Sequence, residues 1–546
     1  MNPRAGVLFA AGALLAGTVT ALPASASPAP QTPTTTPADD PTTRPAAPVI
    51  WKSCGSTRYP RLECGMLKVP LDHADPKSRT ISLALSRVPH TAKTSQGPLL
   101  VNPGGPGGSG LGMAGFVAAS LPPKLAAQYD VIGFDPRGVG RSEPALNCRP
   151  GHFEPVRHAS VPLDAATESA ALERARGFAE ACGTKYGALL RHIDTVSAAQ
   201  DLDAIRRALG AERVNYFGYS YGTYLGAVYA RLYPERVRRF VLDSMVDPKG
   251  VWYRGNLAQD FAFDTRHKAF MAWVAEHDAA YGLGTDPAAV EAAWYRMRDE
   301  LRSVPAGDKV GPAELEDTYL PGGYYNGYWP QLAEAFAAYV NEKDTAPLIG
   351  AYEDLGASDA SDDNGYSVYA SVQCRDAAWP RDWRVWRADN WLAHAKAPFS
   401  TWNNAWYNAP CAFWPVEPRT PVDVTNAEVP PMLLFQATDD AATPYEGGVS
   451  LHRAVGGSRL VVEEGGGNHA VTLGGNTCLD AHLVRYLESG TVPRAAEGSG
   501  EADAVCPALP GPQPAPAKKA AKSRAVPAPA PATGGAALHR LLGHRH

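Results

Sequence analysis

VNYFGYSYGTYLG, residues 214–226, sets Ser220 between Gly218 and Gly222, behind a β-branched and aromatic run and ahead of a helix-like stretch. A serine so placed reads as a nucleophile elbow, the sharp strand-to-helix turn that lifts a hydroxyl clear of the backbone. Glycines flank it because the turn is strained and side chains there would strike the neighbouring strand and helix. The chemistry such a turn supports is acyl transfer. In a chain with 52 glycines the pattern alone carries little weight, so its surroundings must decide.

Those surroundings alternate short apolar runs with helical patterns. PLLVNPGG, YDVIGFDPRG, RVNYFGYS and RRFVLDSM follow one another up to Val246, and PPMLLFQATDD (430–440) and RLVVEEGGGNH (459–469) return near the other end. Buried strands separated by helices predict an α/β fold, a mostly parallel central sheet with helices on both faces. Ligands of such sheets bind beyond the carboxyl ends of the strands. The intervening stretch, residues 247–418, holds 11 of the 12 tryptophans, few strand signals and amphipathic helical patterns such as 259–280 and 286–302. It predicts a mostly helical, aromatic-rich cap, inserted between a first core part (49–246) and a second (419–506). Most of its aromatics should fill the cap's own core and a minority line a pocket.

A serine hydroxyl needs an adjacent base, and the base needs an acid to hold its tautomer. With this elbow the three follow in the order serine, acid, histidine. Asp439 and Asp440 both follow a strand in QATDDAATP; Asp440 is preferred because it opens the D-x-x-T-P turn. His469 ends the next strand in EEGGGNHA, where glycines permit a tight loop back toward the elbow, whereas His452 and His482 fall in helical segments. The oxyanion needs main-chain donors. The N–H of Tyr221, after the nucleophile, supplies one, and Gly104 or Gly105 in VNPGGPGGSG (101–110) supplies the other. No G-x-x-x-x-G-K-[ST] arrangement accompanies that loop, which argues against a phosphate cradle.

Residues 1–26 combine Arg4, an apolar run and an Ala24-Ser25-Ala26 exit, the pattern of a secretory signal peptide. Residues 27–48, rich in Pro and Thr, read as a linker, and 507–546, rich in Pro and Ala, as a disordered tail. The roughly 460 residues between them suffice for a large core and more than one folding unit. A formal net charge of −5 without a basic block in the folded part argues against a nucleic-acid partner. Eight cysteines in an exported chain, none in C-x-x-C spacing, predict disulfides rather than a metal or redox site. Neighbour pairing, Cys54 with Cys64, Cys148 with Cys182, Cys374 with Cys411 and Cys478 with Cys506, closes the shortest loops.

The set NPGGPGGSG, DVIGFDPRGVGRSEP (130–144), DTVSAAQDLDAIRRALG (194–210), GYSYGTYLG, VLDSMVDP (241–248), DDAATPYEGG and GGGNHA resembles the secreted tripeptidyl aminopeptidases of streptomycetes, in the prolyl aminopeptidase-like branch of the α/β-hydrolase superfamily. The resemblance spans about residues 50–506. It implies an α/β-hydrolase fold and release of short peptides, typically tripeptides, from free amino termini. By motif it makes Ser220 the nucleophile, Asp440 the orienting acid and His469 the general base, with no metal or organic cofactor. It also implies peptide or protein amino termini as substrate, while the apolar run near the start, interrupted by Gly and Thr, predicts no stable membrane insertion. Related prolyl enzymes carry His-Gly-Gly-Pro where this chain has Asn102-Pro103-Gly104-Gly105-Pro106, which leaves the oxyanion glycine open. Counting from an amino terminus requires an anion for the substrate ammonium; the cap offers Glu314, Glu316, Asp317, Glu353, Asp354 and Asp376, and sequence does not choose among them. A secreted carboxylesterase or lipase would use the same triad, and a noncatalytic binding protein on the same scaffold would be expected to have lost part of it.

Overall fold

Ten strands form one sheet: β1 (Lys52–Ser53), β2 (Glu63–Pro70), β3 (Thr80–Val88), β4 (Pro98–Asn102), β5 (Asp130–Phe134), β6 (Val214–Tyr219), β7 (Val237–Asp243), β8 (Leu433–Ala437), β9 (Arg459–Glu464) and β10 (Ala504–Pro507). The structure, a computed structural model, describes residues 48–496, 501–514 and 534–542. The expected signal peptide and nearly all of the 27–48 linker lie outside the described residues.

The strand order is β1-β2-β3-β5-β4-β6-β7-β8-β9-β10. β1, β2 and β3 are joined antiparallel, and β3 to β5 likewise; from β5 across to β10 the pairing is parallel. All residues of β4, β6 and β8 are buried, as continuous apolar runs require when helices cover both faces. Side chains alternate between two cores. Leu99 and Val101 face Met113 and Phe116 with Leu479 and Leu483, while Leu100 joins Leu202, Ile205, Leu225 and Val228 on the opposite face. After β4 the chain steps outward to β5, then returns to pair β6 on β4's other side, with Asn102 opposite Gly218. That reversal opens a crevice at the strand ends, between the loops that follow β4 and β6.

Between β7 and β8 the regular structure of the described chain is helical; its β-type pairing is confined to two isolated bridges, Ala306 with Val310 and Asn426 with Val455. Its first long helix, Tyr253–Glu276, contributes Phe270, Trp273 and Val274 to a separate core with Trp294, Trp329 and Phe336. Ala441 and Ala442, from the loop after β8, join this cap core, so the cap sits on the strand ends. Two motifs of the resemblance meet away from the crevice: Arg137 forks onto Asp201 at 2.7 Å through both Nε and Nη2, and both are buried.

The tail expected after residue 506 departs from its compositional reading. β10 runs to Pro507, Ala508 N–H donates to Glu464 O, and Trp273 Nε1 of the cap donates to Pro512 O at 3.0 Å. Gly534–Leu542 is a helix that buries Ala537, Leu538 and Leu542 in the core face holding Met113 and Val471. Average composition concealed a short amphipathic stretch, AALHRLL, whose apolar side finds a partner only in the folded molecule.

Candidate active site

Ser220 follows β6 directly, at a positive φ of 55° with ψ −128°, and heads the helix Tyr221–Leu232. A non-glycine residue held there stores strain that the surroundings must offset. They do so with Ser220 N–H donating to Asp243 O at 3.0 Å, and with Thr223 N–H and Oγ1 donating to Ser220 O at 2.8 and 2.6 Å. A Cβ on Gly218 would lie 2.5 Å from Gly222 O, and one on Gly222 2.8 Å from Asn102 Oδ1, so both flanking positions admit only glycine.

The buried His469 and Asp440 meet at the strand ends, His469 Nδ1 lying 2.9 Å from Asp440 Oδ2 and 3.1 Å from Oδ1. Asp440 Oδ1 also accepts from the N–H groups of Ala442 and Thr443, and Oδ2 from Thr443 Oγ1 at 2.9 Å. Asp439 is exposed. Of the two neighbouring acids, Asp440 is the buried one and the one that contacts the imidazole. The loop after His469 is pinned from two sides. Tyr324 O of the cap accepts from His469 N–H at 2.8 Å, with the Tyr324 ring edge-on to the imidazole. Below, Ser244 Oγ accepts from Ala470 N–H, and Asp243 accepts from the N–H groups of Val471 and Thr472. Burial pushes the Asp243 carboxyl up to about 6 despite these donors. Sequence reading marked VLDSMVDP without seeing this role, because its contacts lie more than two hundred residues away. Thr443 was visible only as the threonine of the D-x-x-T-P turn.

The two oxyanion candidates differ. Gly104, at φ +100°, gives its N–H to Asn102 Oδ1 at 2.9 Å, and a Cβ on it would strike Tyr219 O and Ser220 Cβ. Gly105, with Ser220 and Tyr221, borders a cavity of about 350 Å³. Aromatic rings of Trp252, Phe263, Tyr324 and Tyr369 line much of the rest, interleaved with the carboxamides of Asn256, Gln373, Asn403 and Asn404. Trp252 alone of the cap tryptophans lines the cavity.

None of the six cap acids considered from sequence lines this cavity. Glu314 and Asp317 hold Arg157, Glu316 pairs with Arg298 at 3.3 Å, and Glu353 and Asp354 engage Lys309 and Gln331 on the surface. Asp376 lies under the elbow helix. It accepts from Thr195 N–H and Oγ1 and from Trp252 Nε1, and Thr195 Oγ1 in turn contacts the Tyr221 hydroxyl at 2.8 Å. The cluster of metal-type ligands among the described residues, Cys478, His482 and Cys506, has both sulfurs in a disulfide and so offers a single imidazole.

A strained serine after the central strand of a parallel sheet, with a buried histidine and aspartate paired at the neighbouring strand ends, defines the α/β-hydrolase class. A family model described as the alpha/beta hydrolase fold matches residues 97–474, and the chain belongs to that family. Among curated proteins it is similar to the tripeptidyl aminopeptidase of Streptomyces coelicolor, at 43% identity over 472 residues, 84% of this chain and 86% of the relative. It is 33% identical over 475 residues to serine protease Hip1 of Mycobacterium bovis, covering 82% of this chain and 90% of the relative. To carboxylesterase B of Mycobacterium tuberculosis it is 32% identical over 474 residues, with the same coverage of 82% and 90%.

Proposed function

We propose that this protein is an exported serine exopeptidase that releases tripeptides from free amino termini, with Ser220, His469 and Asp440 as its triad. The observation that carries the reading is the buried Asp440–His469 pair, 2.9 Å apart, whose imidazole meets the Tyr324 ring edge-on, Tyr324 lining the same cavity as the strained Ser220. With Nδ1 engaged by Asp440, the imidazole presents Nε2 as the base for the serine hydroxyl. The 43% identity to a tripeptidyl aminopeptidase supports peptides as the substrate class. Export rests on the amino-terminal signal pattern and on four disulfides, bonds that persist outside the cytosol. Among the described residues no helix is long and apolar enough to cross a membrane.

In the proposed cycle His469 takes the Ser220 proton as the oxygen attacks the scissile carbonyl, and Asp440 holds the imidazolium. The N–H groups of Tyr221 and Gly105 stabilise the oxyanion; Gly104 is set aside because its N–H is already given to Asn102. His469 then protonates the leaving amine, and a water that it deprotonates releases the acyl group.

The test is hydrolysis of a tripeptide anilide, its N-acetyl form, a single-residue anilide and a short-chain nitrophenyl ester by the purified protein. The free-amino tripeptide should be strongly preferred, and Ser220→Ala should lower kcat by at least about 10⁴-fold with the melting temperature retained. Equal turnover of the acetylated tripeptide, or faster turnover of the ester, would instead support an esterase, the reading that the likeness to carboxylesterase B favours.

A further inference from the structure

Asp260 sits on the cap helix Tyr253–Glu276 and is 1% exposed. Its Oδ1 accepts from Asn404 Nδ2 at 2.8 Å, while Oδ2 is buried without a hydrogen-bond partner, and no cation among the described residues pairs with the carboxyl. A carboxylate left this way is costly unless something completes it. Its position suggests what does. Asn256 and Phe263, one turn before and one turn after on the same helix, line the cavity that holds Ser220, and so does Asn404, its sole partner.

We infer that Asp260 anchors the α-ammonium of the peptide substrate, its free Oδ2 accepting from the ammonium behind the cavity wall formed by Asn256 and Asn404. This rests on the aminopeptidase reading above and deepens it. Asn403, also on the cavity wall, donates from Nδ2 to Asp317 Oδ1 at 2.9 Å, which leaves its carbonyl oxygen available as an acceptor. Burial without a cation pushes the Asp260 carboxyl well above the usual carboxylate range. An arriving ammonium opposes that shift and favours ionisation of its partner. The acids that themselves line the cavity, Asp247 and Glu446, do not have this character. Glu446 is exposed and Asp247 half-buried, with Oδ1 already taken by Lys249 N–H, and solvent-exposed ion pairs discriminate weakly. Because an extended tripeptide spans at most about 10 Å, an anion fixed in the cap while Ser220 stays fixed in the sheet also limits how many residues fit between them.

The experiment compares kcat/KM for Ala-Ala-Ala p-nitroanilide and its N-acetyl form in the full-length wild type, in Asp260→Asn and in Asn404→Ala. Asp260→Asn is isosteric and removes no packing. The free-to-acetylated preference should collapse by at least tenfold, chiefly through a higher KM on the free-amino substrate, at an unchanged melting temperature. Asn404→Ala, which releases the only group holding the carboxyl, should move the preference the same way by a smaller factor, and so tests the anchor even if the first variant folds poorly. A wild type that prefers the free amino group, with variants that keep that preference, overturns Asp260 as the anchor and leaves the aminopeptidase reading standing. A wild type without any preference overturns that reading, and the anchor with it.

Discussion

Burial pushes the Asp376 carboxyl up to about 7, with the nearby charge of Asp194 adding to the effect; an ordinary aspartate titrates near 4. Below about pH 4 both folded and unfolded chains hold this proton. Between about 4 and 7 the unfolded chain releases it while the folded one retains it, so this group's contribution to stability falls as pH rises, by an order of a few kcal/mol. Asp376→Asn removes the titration. The melting temperature of the variant minus that of the wild type should therefore climb from pH 4 to pH 7, whatever constant offset the lost contacts to Thr195 introduce; a flat difference would show that Asp376 is ionised in the folded protein. Such a group could not be placed from sequence. The turns that carry Ser220, Asp440 and His469 were legible because the chemistry of each is written in adjacent residues. The support given by Asp243 to Val471 and Thr472, or by Asp376 to Thr195 and Trp252, is carried by contacts between distant segments, and no local pattern encodes those. Asp260 was overlooked for a related reason: an aspartate inside an amphipathic helix looks like any solvated charge until its neighbours are known.

At the level of elements, six strands were legible because residues buried on both faces leave continuous apolar runs such as PLLVN and LLFQA. β2 and β3 were not, since strands at the antiparallel side carry polar residues such as Lys68, Ser82 and Ser86 within them and break the run. The carboxyl-terminal helix was missed because the Pro/Ala-rich residues before it dominate the composition. Its docking is a balance. Leu538 and Leu542 are buried, each contributing roughly 1.5–3 kcal/mol, and with the helix's own hydrogen bonds and its other contacts they work against a backbone ordering cost of about 1–2 kcal/mol per residue. His539 stacks on Tyr325 with ring centroids 4.3 Å apart, and Leu541 packs against Gly112. Ending the chain after residue 514 should thus move the melting temperature by fewer than about 5 °C. It should at the same time raise the fluorescence of an apolar-surface dye, as the groove beside Val471 and Leu473 is uncovered. A large fall in melting temperature would mean that the helix is an integral part of the core.

Across the whole molecule, all eight cysteines pair with their sequence neighbours, closing separations of 10, 34, 37 and 28 residues. In the chain-entropy picture the loop closed by Cys54–Cys64 is worth about 3 kcal/mol and that closed by Cys374–Cys411 about 4 kcal/mol, too small a difference to tell the two apart by stability. Their positions separate them. Cys54–Cys64 ties down the start of the sheet edge, where β1 pairs with β2, far along the strand order from β6. Cys374–Cys411 joins the helix Ala360–Asp376 to the turn Ala409–Phe413, and the 37-residue loop it closes carries Ser400, Asn403, Asn404 and Tyr407 of the cavity wall. Replacing both cysteines of either pair by serine should lower stability to a similar extent. Only the Cys374→Ser/Cys411→Ser protein should also show a KM for the tripeptide anilide raised severalfold while kcat stays within about twofold, because the disulfide holds the walls that position substrate and leaves the Asp440–His469 pair untouched. Equal KM values in the two double variants would mean that the cap's own aromatic core, Trp294 and Trp329 among it, fixes the cavity without the crosslink.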